Sequence, residues 1–207
     1  MFALVDKSDN SITRMLNGNR GITLGDNQYP KAIFSLWTEA ERNAINIYTV
    51  TIDESKRKDE KWYINTNITY AFDGTNATGS YGDATAKAHA DTTWTQQQID
   101  DGDAPAGADT DTVAVKGLKT VLIEQVKSQA ESELNKTDWY ITRKSEKNTA
   151  IPSAITTHRD AVRTKQDSMC TAITNASDTP ALETLYTYTT NDSGVTSRPL
   201  GELPTLD

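Results

Sequence analysis

Residues 137–163 read TDWYITRKSEKNTAIPSAITTHRDAVR. Two adjacent aromatics, Trp139 and Tyr140, are followed by the charges Arg143, Lys144, Glu146 and Lys147, and then by an Ile151-Pro152 step. Proline fits the first turn of a helix, where its missing N–H costs nothing, so a helix is expected to begin at Pro152. Before this stretch, Leu118, Val121, Leu122, Gln125, Ala130 and Leu134 mark one face of a helix running from about Val113 to Asn135. After its start, Ile155, Val162, Met169 and Ile173 form a stripe of seven-residue spacing, with Ala161 and Ala172 beside it. Thr179-Pro180 opens a third, short helix through Leu182, Leu185 and Tyr186. Residues 113–188 therefore read as an antiparallel helical module, with Trp139 and Tyr140 in the connection between its two long helices.

That connection admits two readings. In the first, the aromatics cap the shared core of the helices they join. In the second, Trp139, Tyr140 and Arg143 are exposed anchors for a partner, since Trp, Tyr and Arg dominate interface hot spots. Both hold if Trp139 points inward and Tyr140 outward. The stripe Ile155, Val162 and Met169 is expected to associate with further copies of the chain, as heptad-spaced apolar residues do in coiled coils.

Upstream the pattern changes. Phe2–Asp6 and Ser11–Leu16 are apolar-rich runs separated by Lys7-Ser8-Asp9-Asn10, which predicts a β-hairpin. A short helix is expected after Tyr29-Pro30, carrying Ile33, Phe34 and Trp37. Thr38-Glu39-Ala40-Glu41 is a capping box opening a helix to about Asn46. Residues 48–52 (YTVTI) alternate at period two, and 62–64 and 68–72 are further strand candidates. The fold class is α+β: a small α+β domain over 1–72, a Gly/Ala/Asp-rich loop and linker over 73–112, the helical module over 113–188 and an extended tail over 189–207. The domain boundary is expected at Asp100–Gly107, DDGDAPAG, acidic and rich in small residues. The tail is expected to be loose or to lie along a neighbour.

Bulk composition narrows the function. Acidic residues outnumber basic ones 29 to 21, a net charge of −8, which opposes a phosphate backbone. The one basic run, Lys56-Arg57-Lys58, is interleaved with Glu54, Asp59 and Glu60. No nucleic-acid or membrane partner is expected, and the polar residue 6 and 7 pair after Met1–Val5 argues against a secretory leader. Hydrophobic residues make up 36% of the 207, a lean supply that fits a thin core or burial completed by other subunits.

Motifs for chemistry are missing. His89 and His158 lack the neighbouring ligands of a metal or nucleophile site, and both are expected at the surface. Cys170, beside Met169, reads as a packing residue. The acidic stretch Asp100–Asp111 fails the calcium-loop pattern, because Gln97 and Ile99 stand at ligand positions before Gly102 and no Glu closes the loop. Gly74–Gly82 is not followed by the Lys of a phosphate loop. Paired carboxylates, Glu39 with Glu41 or Asp53 with Glu54, are better explained by a cap and a turn than by glycoside hydrolysis. No catalytic, cofactor-binding or metal-binding residue is assigned, and no enzyme activity is expected.

Leu134-Asn-Lys-Thr137-Asp138-Trp139, then Ala150-Ile151-Pro152, then His158-Arg159-Asp160-Ala161-Val162-Arg163 resemble the C-terminal helical region of the tail-fibre assembly and XkdW-like proteins of tailed bacteriophages. The final helix Thr179-Pro-Ala-Leu182-Glu-Thr-Leu185 belongs to the same pattern. Met1–Asp6, Tyr29-Pro30 and Leu36–Arg42 are similar to the small leading domain of that group. The resemblance spans residues 1–51 and 116–186 and leaves 52–115 and the tail uncovered. It implies a virion structural protein of the tail, baseplate or fibre-attachment region, made in the host cytoplasm, that adapts one subunit to another, with its C-terminal helices against a fibre or, as the stripe suggests, against further copies. The alternative it implies is a fibre-folding chaperone that leaves the mature particle. Its partners would be other phage tail or fibre proteins, and it implies no catalytic residues.

Overall fold

The computed structural model describes residues 1–206 and is a mixed α+β protein, with strands concentrated towards the N-terminus and helices towards the C-terminus. It divides into two compact units, residues 1–85 and 86–207.

The N-terminal unit contains β1 (Phe2–Asp6), β2 (Ser11–Leu16), β3 (Ile22–Leu24), β4 (Asn27–Tyr29), α1 (Ile33–Leu36), α2 (Glu39–Ala44), β5 (Ile47–Asp53), β6 (Tyr63–Ile64), β7 (Thr69–Phe72) and β8 (Ala77–Ser80). A two-residue strand, β9 (Thr85–Ala86), lies at its end. Five strands form one sheet in the order β2-β1-β5-β8-β7. Only β5 and β8 run parallel; the other neighbours are antiparallel.

β1 is apolar at four successive positions because both its faces are covered. Ala3 and Val5 join Tyr48, Val50, Phe72 and Ala77 in one cluster. Phe2 and Leu4 pack on the other side against Ile22, Ile33 and Ile47. Each fully buried side chain of this size contributes about 1.5–3 kcal/mol. The expected capping box is present: the Glu41 amide donates to the Thr38 hydroxyl, and the Thr38 amide donates to the Glu41 carboxylate at 2.7 Å. That contact holds the Glu41 carboxyl below its usual range.

Residues 73–85, read from sequence as loop, contain β8 and belong to this unit. The sequence of β8, ATGS, has none of the bulky residues that announce a strand. Its Gly79 is crowded: a Cβ there would lie 2.8 Å from the Tyr70 ring and 2.9 Å from both Ile52 and Ile68.

The C-terminal unit contains β10 (Thr92–Thr93), α3 (Gln96–Asp100), β11 (Val113–Val115), α4 (Leu118–Asn135), α5 (Asp138–Lys147), α6 (Ser153–Asn175), α7 (Thr179–Tyr186), β12 (Thr189–Thr190) and β13 (Thr196–Ser197). The acidic segment 100–107, expected to be the boundary, instead lies within this unit, between α3 and β11, and β11 pairs with β10. A second capping box, Thr95 with Gln98, opens α3.

α4 begins at Gly117, whose amide donates to Asp91 Oδ1 at 2.7 Å, while Thr120 Oγ1 donates to Asp91 Oδ2 at 2.9 Å. Any side chain at 117 would collide with the Ala90 backbone, since a Cβ would sit 2.3 Å from its carbonyl. α4 packs along α6, burying Leu122, Val126 and Ala130 on one helix and Ile155, Val162, Met169 and Ile173 on the other. α7 is capped by Asp178, which accepts from the Ala181 amide at 2.8 Å, and its first residue, Thr179, donates its hydroxyl to the Lys87 carbonyl at 2.7 Å.

The segment after α7 is anchored within the unit. β12 and β13 form a hairpin, and Leu200 is buried with its amide donating to the Leu185 carbonyl at 3.0 Å. The Arg198 guanidinium lies over the Tyr186 and Tyr188 rings and pairs with Glu202 at 2.7 Å. A tail of polar composition is thus held by its hairpin, one arginine and one leucine.

Candidate interaction site

The residues between the two long helices are themselves helical. Thr137 sits at the start of α5, and Trp139, Tyr140 and Arg143 ride on that helix, which ends at Asn148 in a left-handed conformation, φ 52°. The connection is only residues 148–152, and α6 begins at Ser153 with Pro152 at its cap. Positions i, i+3 and i+4 share a helix face, which places Arg143 over both aromatics. Its guanidinium carbon is 4.7 Å from the Trp139 centroid and 5.2 Å from that of Tyr140. The two rings lie 3.7 Å apart, inclined by 32°. Such cation–π contacts contribute about 0.5–1 kcal/mol each at exposed sites, enough to keep the three side chains stacked.

The stack faces solvent. Trp139 is 52% exposed and Ile141 43% exposed, while Tyr140 and Arg143 are half-buried. The sequence reading with Trp139 inward and Tyr140 outward is reversed: the tryptophan is the more accessible ring. Lys144 and Lys147 lie in the last turn of α5, so the aromatic face has a basic margin.

What orients this helix is a node centred on Arg159. Its Nη1 lies 2.8 Å from the Leu134 carbonyl, 2.7 Å from Thr137 Oγ1 and 2.8 Å from Asp138 Oδ1. One guanidinium nitrogen of α6 therefore holds the last turn of α4 and the first turn of α5 together. Only a tenth of the arginine side chain is exposed, whereas Asp138 is half exposed. Thr137, itself buried, donates its hydroxyl to the Leu134 carbonyl at 2.9 Å. The T-D-W and H-R-D segments meet here, 21 or more residues apart in sequence, and sequence reasoning missed Arg159 because its partners are not local.

Two expectations need correction. Ile155, Val162 and Met169 were expected to face partners, but all three are buried within their own unit, so the seven-residue stripe is consumed by packing among this chain's helices. His158 was expected at the surface and is buried, with Nε2 making no hydrogen bond. The helix turns it and Arg159 towards the interior together.

Elsewhere, Cys170 is partly buried, and desolvation pushes its thiol above the ordinary range, which disfavours the nucleophilic thiolate. Exposed carboxyls held below their usual range owe it to local contacts: Asp6 to the Ser8 hydroxyl and amide, Asp53 to the Ser55 amide and hydroxyl, and Asp73 to the Asn76 and Thr75 amides. Among the described residues no group of three or more His, Cys, Asp or Glu side chains could hold a metal ion, and no helix is long and apolar enough to cross a membrane. No family model, no curated protein and no solved structure matches the chain.

Proposed function

We propose that the chain is a structural protein of a tailed-phage particle, in the tail, baseplate or fibre-attachment region, where it joins subunits through the exposed face of α5. The observation that carries this reading is the Trp139–Tyr140–Arg143 stack, solvent-facing yet held in one arrangement. Ordered aromatics and arginine bury a large area on a partner with little loss of side-chain freedom. The residues that resemble phage assembly proteins support it from a second direction, because Thr137, Asp138 and Arg159 of that pattern form the node that aims α5. The mechanism is burial of surface between proteins, with no bond made or broken.

The test is incorporation. In particles purified from a phage carrying the wild-type gene, mass spectrometry should find the chain at a fixed stoichiometry. Trp139→Ala should lower its incorporation about tenfold while the isolated protein keeps its circular dichroism, in keeping with loss of a hot-spot residue. Wild-type incorporation of that variant would overturn the role of α5. Absence of the wild-type chain from purified particles would instead favour a fibre-folding chaperone.

A further inference from the structure

The sequence contains eight arginines, and six of them are engaged. Arg42 donates to the Trp37 carbonyl and lies over the Phe2 ring; Arg57 pairs with Glu54 and Glu60; Arg143 covers Trp139 and Tyr140. Arg159 pairs with Asp138, Arg163 with Asp160 and Arg198 with Glu202. The guanidinium groups of Arg14 and Arg20 make no ion pair, hydrogen bond or ring contact among the described residues. Both line the same groove.

That groove lies in the N-terminal unit, with a volume of about 900 Å³. Its wall is the C-terminal half of β2, the Asn17–Gly21 turn, the start of β3 and Phe34 of α1. Leu16, Ile22 and Phe34 belong to the apolar cluster on that side of the sheet, so the floor is continuous with the core. The turn cannot shift freely. Gly18 has φ +70°, and a Cβ there would come within 3.2 Å of Phe34, while one at Gly21 would lie 2.6 Å from the Tyr29 carbonyl. No Asp or Glu lines the groove, although the chain carries 29 of them. A lining free of carboxylates, on a protein of net charge −8, is a local reversal of sign.

We propose that this groove binds an acidic peptide segment of a partner protein, with carboxylates on Arg14 and Arg20 and an apolar side chain between them on the Leu16–Ile22–Phe34 floor. Two unpaired guanidinium groups beside an apolar floor match a chain that alternates carboxylate and apolar side chains. An extended segment presents that alternation, because successive side chains of a strand point to opposite sides. Arginine suits the task because its planar fork meets a carboxylate through two parallel hydrogen bonds. The site is separate from α5 and does not depend on the role proposed for it.

The probe is a short fluorescein-labelled peptide of alternating Glu and Leu, titrated with the full chain and followed by polarisation. Binding should weaken with added salt, as exposed charge pairs do. The double variant Arg14→Glu/Arg20→Glu should lower affinity about tenfold or more, the scale expected when attraction at paired sites becomes repulsion. Both residues are exposed and unpaired, so the variant should keep the wild-type circular dichroism and melting temperature. Equal binding of a Lys-for-Glu peptide, or unchanged binding by the double variant, would overturn the proposal. So would displacement of the peptide by inorganic phosphate at comparable concentration, which would mark a simple anion site. Concentration-dependent self-association abolished by the double variant would make the occupant a second copy and overturn the assignment to a partner.

Discussion

The two units are stabilised in different ways. The N-terminal unit buries apolar side chains on both faces of a sheet, and its polar contacts are mostly local turns and caps such as Thr38 with Glu41. The C-terminal unit packs helices but adds long-range polar pins: Arg159 to three oxygens at the α4–α5 junction, Asp91 to the start of α4, and Thr179 to the Lys87 carbonyl. Much of the surface of those helices is polar, so apolar contact alone leaves helix ends and crossings underdetermined. A hydrogen bond to an otherwise unsatisfied carbonyl resolves that, because leaving the carbonyl buried and unpaired is costly. A chain with a lean apolar supply can therefore keep a sheet unit on its core alone, but its helical unit depends on a few polar residues.

Hydrogen exchange read by mass spectrometry reports peptides from 1–85 and 86–207 separately, so each substitution can be assigned to its unit. The largest effect is expected for Arg159→Met, which removes the guanidinium nitrogen from Leu134, Thr137 and Asp138 and should destabilise the C-terminal unit by about 3 kcal/mol. Protection of α4 and α5 should fall while the N-terminal sheet is unchanged; equal loss in both units would erase the contrast. Gly117→Ala should cost about 2–3 kcal/mol in the same unit, because the obstacle is the Ala90 backbone and not a mobile side chain. Gly79→Ala should cost about 1–2 kcal/mol, and in the N-terminal unit alone, because the ends of Tyr70, Ile52 and Ile68 can partly give way.

The smallest effect is that of pH. Asp6, Glu41, Asp53, Asp73 and Asp83 of the N-terminal unit titrate below their ordinary values when folded, as does Asp109 of the C-terminal unit. A carboxyl with a lowered folded value binds its proton more readily in the unfolded chain. Its contribution is thus present above the ordinary carboxylate range, about pH 4, and is lost as pH falls through the lowered folded values. Between pH 7 and about 3, protection should fall further in the N-terminal unit, which holds five of these carboxyls, than in the C-terminal unit, which holds Asp109. A steeper acid loss in 86–207 would show that the pinned helices, and not the turns, carry the acid-sensitive contacts.

Local pattern was sufficient for elements whose signals lie within a few residues of one another. The hairpin of β1 and β2, the Thr38–Glu41 cap, the alternation in β5 and the amphipathic α4 and α6 follow from side-chain periodicity and short-range hydrogen bonding. The α+β class and the sequence order of sheet unit and helical unit follow from them. Tertiary structure alone decided what those patterns left open. It made ATGS an inner strand, because its small residues leave room for the Tyr70, Ile52 and Ile68 side chains that crowd Gly79. It turned Ile155, Val162 and Met169 inward against α4, because a stripe of apolar residues shows that a face will be covered and not by what. It brought Arg159 to Thr137 and Asp138, and left Arg14 and Arg20 together without partners, since contacts between distant residues depend on the path of the chain and leave no mark in either neighbourhood.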